Sequence, residues 1–210
     1  VTIASSGGGS STPESILMGC VFMSLSGLDV YSVGGTVTKY SHGLSIRSPL
    51  TGTYTGYGHY QYNGQPPPNI FGKNIQFELY FRYTYNATND IYIIIGGAAG
   101  DGVTASHKKF GINIVGNSLY IVSSDGTTQT SLDTGFDLAA GSWYRIRCKL
   151  TSASQIEVWI DGVSKGTKNT NLPSGTLSAA AHGCLQIIVT GDMATQEYGY
   201  TADLKVMHNY

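Results

Sequence analysis

From Asn74 to Thr84 apolar and polar side chains alternate: Phe77, Leu79, Phe81 and Tyr83 fall on one face, Gln76, Glu78, Tyr80 and Arg82 on the other. A period of two is that of a half-buried β-strand, whose successive side chains point to opposite sides. Ile91 to Ile95 is instead a continuous apolar run closed by Gly96 and Gly97, the pattern of a strand covered on both faces. Phe110, Ile112 and Ile114 alternate with small or polar residues, Gly116 and Asn117 turn the chain, and Leu119 to Ser123 returns as a hairpin. Asp125 and Gly126 mark the next turn.

The most sharply defined unit is Ser142 to Gly162. Tyr144, Ile146, Cys148 and Leu150 share a face with Ile156, Val158 and Ile160 across the loop Thr151 to Gln155. Pairing Leu150 with Ile156 sets Lys149 opposite Glu157, Arg147 opposite Trp159 and Arg145 opposite Asp161. Burial and charge therefore select the same register, two charge pairs and a cation–π contact lining the outer face. Asp161 and Gly162 form a tight-turn signal into Val163. Leu185 to Thr190 and Ala202 to His208 read as the last two strands, the second with Ala202, Leu204, Val206 and His208 on one side. Helical periodicity is confined to one short turn at Ser178 to His182. Short strands, frequent turns and no crossover helices predict an all-β fold, an antiparallel two-sheet β-sandwich.

Residues 1–15 differ from everything after them. They run Ser- and Gly-rich from Ser5 to Ser11 and reach Pro13, the composition of a flexible arm or linker, so the domain proper is expected over residues 16–210. The apolar segment Ile16 to Leu28 is interrupted by Ser24, Ser26 and Gly27, which favours a buried strand over a membrane span. Charged residues make up 12% of the chain, against a usual share of about a quarter, so the surface must be solvated by Ser, Thr, Asn, Gly and Tyr. A formal net charge of −1 offers no footprint for nucleic acid. Cys20, Cys148 and Cys184 are widely spaced and lack metal-ligand spacing; they read as buried thiols, with one disulfide at most.

The succession NIQFELYFRY, IYIIIGG, FGINIVGNSLYIVSSDG, GSWYRIRCKLTSASQIEVWIDGVSKGT and TADLKVMHN resembles the concanavalin A-like lectin/glucanase superfamily in its laminin-G-like branch. The resemblance spans residues 16–210 and implies a jelly-roll sandwich in which the C-terminal strand pairs beside the N-terminal one. The low charge, the Gly, Tyr, Ser and Thr richness and the glycine-rich arm look most like the versions on phage tails and capsids. That likeness implies a non-enzymatic virion structural module, a capsid decoration or tail-fibre component with glycan binding for host attachment. The implied location is virion or extracellular, with other virion proteins or a second copy as partner in a homo-oligomer. The alternative is a secreted lectin or carbohydrate-binding module.

Catalysis by the glucanase branch needs paired carboxylates at fixed separation. The chain has only Glu14, Glu78, Glu157 and Glu197, and none sits in the family's E-x-D-x-E or E-x-D-x-x-E pattern. Glu157 and Asp161 share a strand face, but the expected register gives both basic partners. Arg82, His59 and Tyr60 are the residue types of the superfamily's lyases without their motif, so a polysaccharide hydrolase or lyase ranks below a binding protein. His42, His59, His107, His182 and His208 lack metal-ligand spacing, and no cofactor is expected. Calcium is the metal that loops of this class could take, with Asp90, Asp101, Asp125, Asp133 and Asp137 as candidates, although turn formation explains each of them. Asn86, Ala87 and Thr88 form a glycosylation sequon in an expected turn.

The candidate binding residues are Tyr54, Tyr57, His59, Tyr60 and Tyr62, within a stretch from Lys39 to Asn69 that interleaves tyrosines with Gly, His, Gln and Asn and then runs through Pro66 to Pro68. Aromatic faces stack on sugar rings while imidazoles and amides bond the hydroxyls. The same residues suit a protein interface or an ordinary strand pair.

Overall fold

The computed structural model describes residues 71, 72, 74–82, 90–97 and 105–176 with their side chains. Further strands, over 16–21, 29–32, 36–40, 43–47, 56–59, 186–190 and 198–209, and residue 83 are described by backbone alone. In chain order the strands are β1 Ile16–Val21, β2 Asp29–Ser32, β3 Thr36–Tyr40, β4 Gly43–Arg47, β5 Gly56–His59, β6 Asn74–Tyr83, β7 Asp90–Gly96 and β8 Lys109–Val115. They continue with β9 Ser118–Ser124, β10 Gln129–Asp137, β11 Tyr144–Thr151, β12 Gln155–Ile160, β13 Val163–Lys168, β14 Gln186–Thr190 and β15 Tyr198–Asn209. One sheet runs β13-β12-β11-β6-β15-β4-β3, with β1 also paired to β15; the other runs β10-β9-β8-β7-β14-β5-β2. Every pairing is antiparallel. The two-sheet sandwich is thus the architecture expected from the alternation, and the terminal strands β1 and β15 do lie side by side.

One apolar core lies between the sheets. The first sheet contributes Ile75, Phe77, Leu79 and Phe81 of β6, Ile146, Cys148 and Leu150 of β11, and Ile156, Val158 and Ile160 of β12. The second contributes Ile91, Ile93 and Ile95 of β7, Phe110, Ile112 and Ile114 of β8, and Leu119 and Ile121 of β9. Burying each of these side chains is worth about 1.5–3 kcal/mol. Tyr92 and Ile94 of β7 are buried as well, so that strand is covered on both faces, as its unbroken apolar run requires. Cys148 is a free, buried thiol whose pKa burial drives upward.

The register of β11 on β12 is the one burial and charge select: Leu150 opposite Ile156, Lys149 opposite Glu157, Arg147 opposite Trp159. Two details differ from the expected charge pairs. Arg145 does exchange backbone contacts with Asp161, but its guanidinium bonds Glu78 of β6 at 2.9 Å. Asp161 instead occupies a turn at φ 51°, its Oδ1 accepting the Arg145 N–H, and Glu157 Oε1 accepts from Ser164 Oγ. The single-faced reading of Ala202 to His208 also fails. A register shift between Ala202 and Lys205 sets Ala202 opposite outward-facing Tyr80 but Val206 opposite inward-facing Phe77. β10 pairs with β9 although its own pattern of exposure carries no clean alternation. Residues 1–15, Ser178 to His182, the sequon, Cys184 and Asp101 lie outside the described residues.

Candidate functional site

Of the five residues singled out from the sequence, Tyr57 and His59 fall on β5, between β14 and β2 of the second sheet. In register Tyr57 stands opposite Tyr31, and His59 opposite Asp29 on one side and Gln186 on the other. Tyr54, Tyr60 and Tyr62 lie outside the described residues, and for Tyr57 and His59 the backbone alone is described. β5 therefore brings Tyr57 and His59 to one strand.

The side-chain geometry draws attention to a different surface, the outer face of the first sheet. Because β6, β11 and β12 each bury alternate residues, the others stand outward: Gln76, Glu78, Tyr80 and Arg82 on β6; Arg145, Arg147 and Lys149 on β11; Glu157 and Trp159 on β12. Trp143, just before β11, continues the outward phase. The pairing of Arg145 with Tyr80 and of Arg147 with Glu78 merges these into one field.

Both tryptophans of the chain lie on this face, each beside an arginine. The Arg147 guanidinium stacks 3.9 Å from the Trp159 ring centre and that of Arg82 lies 5.9 Å from Trp143. Arg147 Nε is buried without a hydrogen-bond partner, so stacking is what fixes that group. Arg145 donates through Nη2 to Glu78 Oε1, with half of its own side chain exposed while Glu78 is 13% exposed beneath it. That hydrogen bond, and then the Coulomb attraction of Glu78, hold the Arg145 pKa above its ordinary value. Trp143 and Tyr80 present 48% and 41% of their surface to solvent, values far above those of core aromatics. The face carries Arg82, Arg145, Arg147 and Lys149 against Glu78 and Glu157, a local cationic excess on a chain of net charge −1.

Four of the aspartates considered for calcium, Asp90, Asp125, Asp133 and Asp137, accept hydrogen bonds from neighbouring groups, and Asp101 lies outside the described residues. Asp125 Oδ1 accepts from Thr127 N–H, Thr127 Oγ1 and Thr128 N–H, which hold its carboxyl well below the usual range. Asp133 Oδ1 accepts from Gly135 N–H, Asp137 Oδ1 from Ser118 Oγ, and Asp90 Oδ2 from the Tyr92 hydroxyl. Among the described residues no three His, Cys, Asp or Glu side chains group as a metal site would require, and no helix is long and apolar enough to cross a membrane.

A protein-family profile for the SO2946-like C-terminal domain matches residues 47–198. The chain belongs to the SO2946-like C-terminal domain family. A solved structure of SO2946 itself, a protein of unknown function from Shewanella oneidensis MR-1, is similar at 14% identity and a TM-score of 0.55, covering 87% of this chain and 78% of that one. A sialidase is similar at 15% identity and a TM-score of 0.55 over 87% of this chain. So is a botulinum neurotoxin type C, whose cell entry depends on interaction with two ganglioside molecules, at 12% identity and a TM-score of 0.58 over 86% of this chain. The chain spans 17% of the sialidase and 43% of the toxin chain. Identities this low establish shared fold. No curated protein matches this SO2946-like domain.

The alternation of β6 and β11 made their outward residues readable one strand at a time. What the sequence lacked was the pairing of β6 with β11, elements more than 60 residues apart, which alone joins Tyr80 and Arg82 to Trp143 and Arg145. The signal that could have found the face was the outward series Glu78, Tyr80, Arg82 and Trp143, Arg145, Arg147 in two strands of one sheet.

Proposed function

We propose that this SO2946-like domain is a non-catalytic recognition module that binds a glycan, carried on a virion or an extracellular protein as part of an attachment apparatus. The observation that carries the reading is the outer face of β6, β11 and β12, where Trp143 and Tyr80 expose flat rings between hydrogen-bonding guanidinium groups. Such a mixture of stacking platforms and donors is what a sugar ring needs, apolar on its faces and hydroxylated at its edge. The sandwich shared with a toxin whose cell entry depends on gangliosides supports a binding role. The carboxylates of the face are occupied, Glu78 by Arg145 and Glu157 by Ser164, which supports a role without hydrolysis. The low charge and the Gly/Ser-rich residues 1–15 support an extracellular or virion setting with the arm as tether.

Tyr54, Tyr57, His59, Tyr60 and Tyr62 are kept, on their residue types in the sequence, as a second candidate for the same purpose or for self-association in a homo-oligomer. A glycan-array screen of the full chain, with Trp143→Ala and a Tyr57→Ala/Tyr60→Ala double variant in parallel, tests the reading. Binding to a defined glycan class, lost in one of the two variants, is expected and identifies the surface. A clean array together with a defined oligomer by light scattering would overturn glycan recognition in favour of a purely structural virion part.

A further inference from the structure

The exposed groups on the outer face differ from those of a neutral-sugar platform in one respect. They are cationic in a chain that has only 12 Lys and Arg and a net charge of −1. Arg145 is half exposed, and its hydrogen bond to Glu78 runs through Nη2, one nitrogen of a guanidinium that carries five N–H donors. Trp143 lies two residues before it on the same face, about 7 Å along the strand, with Arg82 at its ring. A planar, permanently charged fork beside a flat aromatic ring is suited to an anion attached to a ring rather than to either alone.

We infer that this face selects acidic glycans, Arg145 holding a carboxylate or sulfate group while Trp143 and Tyr80 stack on the sugar that bears it, and that Glu78 competes with the ligand's anion for Arg145. The inference rests on the reading of the domain as a glycan-binding module and adds the charge of the ligand. A second copy of the face is a poor occupant, since Arg82, Arg145, Arg147 and Lys149 would meet their own kind. An acidic peptide would satisfy the arginines but leave Trp143 without a sugar ring to stack on.

Affinity electrophoresis of the full chain through gels containing polygalacturonate, dextran sulfate, neutral dextran or polyglutamate separates these cases. Retardation is expected with polygalacturonate, dextran sulfate or both, marking carboxylate or sulfate as the anion, and should weaken steeply with added salt. Arg145→Gln should weaken that binding roughly tenfold, the size of one charge-assisted hydrogen bond. Glu78→Gln, which removes the competing anion, should tighten it, an outcome that loss of structure cannot mimic. Thermal unfolding of each variant confirms the fold. Equal retardation by neutral dextran, insensitive to salt, would overturn acidic selectivity while leaving glycan binding standing. Retardation by none of the glycans would overturn acidic selectivity, the glycan array then deciding whether glycan recognition itself stands, and retardation by polyglutamate as strong as by the acidic glycans would reassign the face to an acidic protein. Weaker binding of the acidic glycans by folded Glu78→Gln would overturn the competition at Arg145.

Discussion

Val158 and Trp159 are neighbours in sequence that meet opposite surroundings. Val158 is fully buried in the shared core, whereas Trp159 stands outward beneath the Arg147 guanidinium. Val158→Ala therefore removes packed apolar volume and should cost about 1–3 kcal/mol in denaturant unfolding. Trp159→Ala forfeits a cation–π contact worth about 0.5–1 kcal/mol plus partial burial, and should cost less than Val158→Ala. The opposite ranking would mean that the sheet presents its other face to the core. Tyr92 offers a pH-dependent check of a buried residue. Burial first, and then the nearby Asp90 charge, push its hydroxyl from 10.0 up to about 12. A group whose pKa is raised on folding contributes stability that is fully present below its unfolded value and lost as pH rises through the folded one. Wild-type protein should thus lose stability relative to Tyr92→Phe between pH 10 and about 12, and urea midpoints for the two should run parallel below pH 10. Parallel curves across the alkaline range would show that the hydroxyl titrates in the fold as it does in water.

Strands constrain glycines differently according to what lies against them. A Cβ on Gly111 of β8 would run into the Ile93 carbonyl oxygen and lie 2.7 Å from Ile94 Cα on the paired strand β7, all of it backbone that cannot step aside. Gly135 of β10 has φ +67° but nothing within 4 Å of a would-be Cβ. Gly111→Ala should therefore cost more than about 3 kcal/mol or abolish folding, whereas Gly135→Ala should cost about 1 kcal/mol from its left-handed backbone alone. Equal losses by thermal unfolding would mean that β7 and β8 separate to admit the methyl group. The same distinction between local and distant causes governs what could be read from the sequence. The β11–β12 register was legible because a short loop joins the two and charge agrees with burial. The double burial of β7 was legible from its run of isoleucines. The bulge in β15 was not, since it answers to β6 more than a hundred residues away, and β10 was not, because its side chains are largely exposed on an edge strand. The partner of Arg145 was misassigned for that reason too: Asp161 is near in sequence, but Glu78 is the neighbour across the non-local β6–β11 pairing.

At the scale of the whole sandwich the question is whether the two sheets behave as one unit. Phe77 of the first sheet and Phe110 of the second approach with ring centres 6.4 Å apart, inside a core built from both. At the end of β13 the buried Lys168 ammonium crosses to the second sheet, donating to Ser123 Oγ of β9 at 2.7 Å and to Thr170 Oγ1 at 3.1 Å. Ser123 Oγ in turn reaches the Thr170 carbonyl at 3.1 Å, and Lys108 Nζ pins the Ser174 carbonyl at 2.7 Å, so the segment after β13 is fastened to the second sheet. The burial of Lys168 has a cost, which lowers its pKa, and that cost is offset only while the partners on β9 stay in place. Neither sheet can open without exposing the face of the other and stranding this ammonium, so unfolding should be a single cooperative step. Both tryptophans report on the first sheet alone, while far-ultraviolet circular dichroism reports on the strands of both. Their urea midpoints should coincide, and those of Lys168→Met should also coincide with each other. A tryptophan transition that precedes loss of the dichroism signal would show that the first sheet, with its candidate binding face, detaches from a second sheet able to persist without it.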